Sequence, residues 1–147
     1  MQLTMSGEYA VRTMIHLSLV PDGNVAQISD ISKEWEIPEH FLRKISAQLV
    51  SAGLISSFRG LGGGIALARP AGEITPLQVI EAIEGKIALN KCLIHQGFCS
   101  RDRWCAVHRL WAEAQGKLEE VLSSKSIAQL AQESMRTRSG DDKTLAA

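Results

Sequence analysis

The 147-residue chain is 45% hydrophobic and 22% charged, enough apolar material for the core of one ordinary domain, alone or with an appended arm. No apolar run approaches the roughly 18 residues of a membrane span, so no membrane association is expected. Sixteen Lys and Arg balance sixteen Asp and Glu, which excludes a globally basic nucleic-acid binder; between His40 and Pro70, however, Arg43, Lys44, Arg59 and Arg69 meet no carboxylate, and that stretch is a candidate anion-binding face.

Apolar residues Ala10, Val11, Met14, Ile15 and Leu17 recur at helical spacing and predict a helix from Ser6 or Gly7 to about Val20. Pro21-Asp22-Gly23-Asn24 is a turn. Ser29 is placed as the N-cap of a short helix, Asp30 to Trp35, with an acid in its first turn. Pro38 is expected at the first position of the next helix, which buries Phe41, Leu42, Ile45, Leu49 and Val50 and stops at Gly53. Two short strands are expected near Leu54–Phe58 and Ile65–Ala68, joined by Arg59-Gly60-Leu61-Gly62-Gly63-Gly64. Thr75-Pro76-Leu77-Gln78 is a capping box opening a helix to about Glu84, stopped by Gly85. Val107, Leu110, Trp111, Ala114, Leu118, Val121 and Leu122 then give a long amphipathic helix with a near-heptad seam. Ser126 caps a final short helix through Ala131, and the tail from Glu133 to Ala147 has no periodicity and is expected to be disordered.

This order is that of a winged helix-turn-helix: mainly α, with a small β-wing and a long C-terminal dimerisation helix. The helix from Pro38 to Ala52 holds the recognition position, so His40, Arg43 and Lys44 are candidates to read bases in a major groove. Arg59 opens the wing tip and is a candidate for a minor groove or phosphates, where Gly60, Gly62 and Gly63 let backbone N–H groups come close. Ser29 is a further candidate DNA contact. The bland alternatives are a flexible hairpin and a solvated charged face. The acid-free window and the two preceding helices favour double-stranded DNA, with a pseudo-palindromic operator read by a homodimer. The glycine run lacks the Lys-Ser/Thr of a phosphate loop, and no catalytic dyad or nucleophile elbow is present, so neither an enzyme nor a small-molecule substrate is expected.

The only cysteines are Cys92, Cys99 and Cys105, spaced C-x₆-C-x₅-C, with His108 three residues on. The opening from Met1 to Met5 lacks the layout of a signal peptide, which gives a cytoplasmic expectation, and there an odd set of thiols stays reduced. Three thiolates and an imidazole in one short segment suggest a metal or iron–sulfur site. Structural zinc competes, although zinc knuckles are usually tighter than these gaps. Glu8, early in the first helix, reads in the first instance as a carboxylate favourably placed near a helix N-terminus.

Three blocks together resemble the IscR/NsrR family of winged-helix regulators from Met1 to about Leu130. They are Leu3-Thr4-Met5-Ser6-Gly7-Glu8-Tyr9-Ala10-Val11, Ile37-Pro38-Glu39-His40-Phe41-Leu42 and the stretch from Ala52 to Gly64, with the cysteines in the matching places. The resemblance implies a homodimeric transcription factor whose DNA affinity follows an iron–sulfur cluster sensing redox state, nitric oxide or cluster supply. It also implies the division 1–75 for DNA binding, 76–132 for the cluster loop and dimerisation helices, and 133–147 for the tail. Cys92, Cys99, Cys105 and His108 look like the IscR-type 2Fe–2S ligand set; Glu8 occupies the place of the carboxylate that other members use, and a 4Fe–4S cluster is the other form the family holds. The alternative function is a zinc-bound or cluster-free thiol-redox repressor.

Overall fold

The computed structural model describes residues 3–140, and the last positions of the expected tail, 141–147, lie outside the described residues. Helix α1 spans Met5–Leu19, starting one or two residues before the expected Ser6 or Gly7, because Thr4 is its N-cap and its hydroxyl oxygen accepts from the Gly7 N–H at 3.2 Å. Helix α2, Ile28–Trp35, starts from Gln27 rather than Ser29, since Ile28 already packs on the core; Ser29 thus lies inside the first turn. Glu36 closes α2 in the left-handed region (φ 53°), and the Ser32 hydroxyl donates to the Ile37 carbonyl at 2.6 Å across that corner.

Helix α3 spans Glu39–Ser51 with Pro38 as its N-cap, not its first helical residue: Pro38 has ψ 130°, still extended. Leu42, Ile45 and Leu49 are buried as expected, but Phe41 is 40% and Val50 38% exposed. The buried stripe is narrower than the sequence suggests; Phe41 sits at its edge against Tyr9 of α1 (ring centroids 6.3 Å apart), and Val50 faces the wing. Strands β1 (Ile55–Phe58) and β2 (Gly64–Leu67) pair antiparallel, Ile55 opposite Leu67 and Phe58 opposite Gly64. Ala26 and Ile65 exchange two backbone hydrogen bonds of 2.8 Å, which anchors the wing to the segment before α2.

Helix α4, Pro76–Glu84, has the full Thr75/Gln78 capping box, and Gly85 ends it at φ 79°. Helix α5 spans Ala106–Ser123 and buries none of its residues within the chain. Helix α6 opens with a Ser126/Gln129 capping box and buries Ile127 and Ala131 in the single core formed with α1, α2, α3 and the wing. It continues to Ser139, where the sequence places an aperiodic tail from Glu133. The reason is tertiary: Arg138 pairs with Glu34 of α2, and its guanidinium lies 5.8 Å from the centre of the Trp35 ring.

The same corner holds His16, whose Nδ1 accepts from Trp35 Nε1 at 3.2 Å. Burial pushes the His16 pKa below its ordinary 6.5, and Arg138 pushes the same way against the opposing pull of Glu34 and Asp30. Near that ordinary value the folded state therefore binds fewer protons than the unfolded one, and stability rises with pH. His16's contribution is complete above its ordinary pKa and is lost as pH falls through the lower folded value. Urea midpoints compared at pH 7.5 and pH 5.5 are expected to fall on acidification, and to fall less in His16→Gln; an equal fall in both removes His16 as a cause.

Candidate nucleic-acid interface and metal centre

Between α3 and the wing runs an open groove of about 790 Å³. Ser29, Arg43, Arg59, Gly60, Gly62 and Gly63 all line it, so six of the expected DNA contacts share one concave face. His40 and Lys44 are exposed on α3 but stand outside the lining. Arg43 pairs with Glu39 at 3.3 Å, with both side chains largely exposed. An exposed pair of this kind is worth about 0–1 kcal/mol, so the guanidinium is free to exchange its carboxylate for another anion.

The wing tip owes its shape to glycine. Gly60 (φ 94°) and Gly62 (φ 75°) take left-handed backbone, and the Gly63 N–H donates to the Gly60 carbonyl at 3.0 Å. A Cβ on Gly63 would lie 2.3 Å from the Phe58 carbonyl oxygen. Leu61, between them, is fully exposed at 108%. Sequence reasoning assigned no role to Val50, Phe58 or Leu61 at this face; their signal is apolar side chains left outside the core beside a cationic groove.

The cysteine segment runs from Gly85 to Cys105 and is built of tight turns. Cys92 sits in a 3₁₀ turn, Lys91–Leu93, capped by Asn90, whose Oδ1 accepts from the Lys91 N–H at 2.8 Å. The Gly97 N–H donates to Asp102 Oδ2 at 2.9 Å, closing the loop around Cys99. Cys105 is the N-cap of α5, where unpaired N–H groups favour negative charge. All three thiols are unpaired and half-buried.

Cys92 and His108 line one cavity of about 590 Å³, together with Gly97, Asp102 and His95, a histidine that sequence reasoning did not single out. Cys99 and Cys105 are not in that lining, and among the described residues no three His, Cys, Asp or Glu side chains converge on one point. Glu8 is engaged with Arg12 on its own helix. One observation fits a ligand nonetheless: His108 Nδ1 is buried and has no hydrogen-bond partner. A buried unpaired nitrogen costs about 1–3 kcal/mol, and an imidazole nitrogen left without a hydrogen-bond partner is open to a metal. The donor set of three soft thiolates and an imidazole fits an iron–sulfur cluster or zinc.

Val107, Leu110, Trp111 and Val121 of α5 are all exposed, Leu110 at 58% and Val121 at 66%. They form an unpartnered apolar seam on the outer face of the helix. Its inner face is held by the Gln115 Oε1, which accepts from the Leu89 N–H at 3.0 Å.

Residues 3–133 match the Rrf2 family, described as iron-dependent transcriptional regulators. The HTH-type transcriptional regulator IscR of Xenorhabdus nematophila is 34% identical over 130 residues, covering 88% of this chain and 79% of that protein. IscR of Photorhabdus laumondii has the same identity and coverage, 34% over 130 residues. Among solved structures, CymR, the global cysteine regulator of B. subtilis, superposes with a TM-score of 0.74 at 26% identity, covering 90% of this chain and 97% of that one. IscR of T. potens superposes with a TM-score of 0.74 at 24% identity, covering 91% and 88%, a likeness of fold.

Proposed function

Because the chain belongs to the Rrf2 family of transcriptional regulators, DNA-binding proteins and not enzymes, we propose that its affinity for promoter DNA is set by an iron–sulfur cluster held on Cys92, Cys99 and Cys105. The observation that carries this reading is the unpartnered, buried His108 Nδ1, on a residue that lines the same cavity as Cys92. His108 is the fourth ligand of a 2Fe–2S site in this reading, with Glu8 as the alternative. The bound cluster supplies a redox-active, degradable centre that answers to oxidant, nitric oxide or cluster supply. One non-thiolate ligand raises its potential or its lability.

The chain's own residues do the rest. Two copies pair through the apolar seam of α5 and present two α3 helices to a pseudo-palindromic operator. His40, Arg43 and Lys44 read base edges; Arg59 and the glycine-freed amides of the wing engage minor groove or phosphate, and Ser29 a phosphate near the first turn of α2. The segment from Gly85 to Cys105 joins α4 to α5, so a change in its order alters how the two reading heads stand relative to the dimer helices. Regulation requires only that the two loop states differ in DNA affinity. Reduced thiols and promoter DNA support a cytoplasmic setting; among the described residues no helix is long and apolar enough to cross a membrane.

Anaerobic purification is expected to give coloured protein containing iron and sulfide, with different DNA affinities before and after cluster removal. A colourless, iron-free protein that resists reconstitution overturns the cluster. The second reading is a zinc-bound or cluster-free thiol-redox repressor; three unpaired thiols that converge on no common point favour its cluster-free form, and stoichiometric zinc after native purification would select its zinc form.

Arg59→Ala is expected to weaken binding roughly tenfold on all sequences, the worth of one charged hydrogen bond, and to lower the slope of log K against log salt by about 1. Unchanged affinity and slope would take Arg59 off the interface.

A further inference from the structure

Glu84 is the last residue of α4 and stands directly before Gly85, where the cysteine segment begins. Its Oε1 accepts from the backbone N–H of Thr4 at 3.0 Å and from the Thr4 hydroxyl at 2.5 Å. Thr4 is the N-cap of α1, and its hydroxyl oxygen in turn accepts from the Gly7 N–H. A carboxylate here meets the positive end of the α1 dipole as well as two donors. Gly7 permits the approach: a Cβ on it would lie 2.3 Å from Glu84 Oε1. The stem of the cysteine segment is thereby stapled to the first turn of α1.

The first turn of α1 leads on to the recognition helix. Two residues past Gly7, Tyr9 meets Phe41 of α3 edge-on, with ring centroids 6.3 Å apart. The Phe41 ring lies 4.5 Å from that of His40. Glu84, Thr4, Tyr9, Phe41 and His40 thus make a run of direct contacts and short helical steps from the start of the cysteine segment to a residue assigned to base reading. Neither the ligand set nor the DNA face uses Glu84, Thr4 or Gly7.

We propose that Glu84 is a positioning residue: by capping α1 it transmits the state of the cysteine segment to the recognition helix. The proposal rests on the cluster-sensing reading above. It differs from a plain stabilising cap in what it predicts. Loss of a plain cap lowers stability and shifts the DNA affinity of both cluster states in parallel. Loss of a transmitting contact changes the ratio of the two affinities.

Gly7→Ala separates these cases. The atoms it displaces, Glu84 Oε1 and Leu3 Cδ1 at 3.0 Å, are ends of flexible side chains, and alanine is a better helix former than glycine. The full-length wild type, Gly7→Ala and Glu84→Gln are prepared anaerobically. Affinity is measured with cluster loaded and after its removal by chelation, on a duplex selected from a random pool by the wild type. Iron content, thermal midpoint and hydrogen exchange of the α1 first turn are followed alongside.

Gly7→Ala is expected to keep its iron and keep or raise its thermal midpoint, while the ratio of the two affinities falls by at least about fivefold, the lower end of ordinary allosteric coupling. Glu84→Gln keeps an acceptor oxygen without the charge, and its ratio is expected to lie between those of the wild type and Gly7→Ala. In the wild type, cluster removal should speed exchange at the Gly7 and Glu8 amides; in Gly7→Ala exchange should be fast in both states. An iron-loaded Gly7→Ala or Glu84→Gln with the wild-type ratio and wild-type exchange overturns the proposal. A wild type without iron, or with equal affinities in both states, overturns the sensing reading itself, and this inference with it.

Discussion

Alanine at Cys92, at Cys99 or at Cys105 will each leave the anaerobically purified protein without iron, sulfide or visible absorbance. The thiolates supply the soft, anionic ligation on which cluster binding depends, and no fourth cysteine exists in the chain to replace one. The DNA affinity of each variant should equal that of the cluster-free wild type and no longer respond to chelation. Folding is not at stake, because all three thiols lie outside the buried core, in turns held by backbone and Asp102 contacts. His108→Ala removes only one neutral donor and should leave a bound but more labile cluster. Iron and sulfide analysis with visible circular dichroism checks the series. A single cysteine variant with full iron would remove that residue from the ligand set; wild-type lability in His108→Ala would pass the fourth position to Glu8.

Leu110→Asp should split the dimer. The seam of Val107, Leu110, Trp111 and Val121 is exposed in one chain, and burying a leucine is worth about 1.5–3 kcal/mol. A two-fold dimer loses that twice, and it also sets two carboxylates in an apolar interface. Its dissociation constant should rise roughly 10²–10⁴-fold on the lost burial alone. DNA binding should fall to the level of a single half-site, since the second reading head is no longer tethered. Sedimentation across a concentration series, paired with binding to full and half operators, measures both effects. A Leu110→Asp protein that sediments as a dimer at wild-type concentrations would show that the seam is not the interface.

Features that depend on residues close in the chain were the most legible in the sequence. The Thr75/Gln78 capping box, the stop at Gly85, the glycine wing and the turn at Gly53 appear where short-range chemistry places them. Gln27 displaced Ser29 as the start of α2 because Ile28 is drawn into the core, a packing fact that side-chain capping preference does not register. The last turns of α6 carry no apolar stripe; Arg138 secures them to Glu34 and Trp35, about a hundred positions away in the chain. The close spacing of the cysteines singled out a candidate ligand segment. Which of them share a cavity depends on turns that only the folded loop reveals, and there Cys92 and His108 line one cavity while Cys99 and Cys105 are not in its lining. The staple of Glu84 to Thr4 joins positions eighty residues apart and left no local trace.

One property of α5 reaches beyond the molecule. An 18-residue helix that fully buries none of its own residues is held to its subunit along its inner face alone, through half-buried Leu118 and Leu122 and the Gln115 bond, and its outer seam has no cover there. If a second copy covers the seam, the supply of chains becomes a term in folding itself, and the thermal midpoint should climb with protein concentration. Below the dissociation constant, dimer scales with the square of chain concentration, so halving the number of chains leaves about a quarter of the dimers. A cell carrying this protein would then set its promoter occupancy through gene dosage and turnover as steeply as through the state of the thiols.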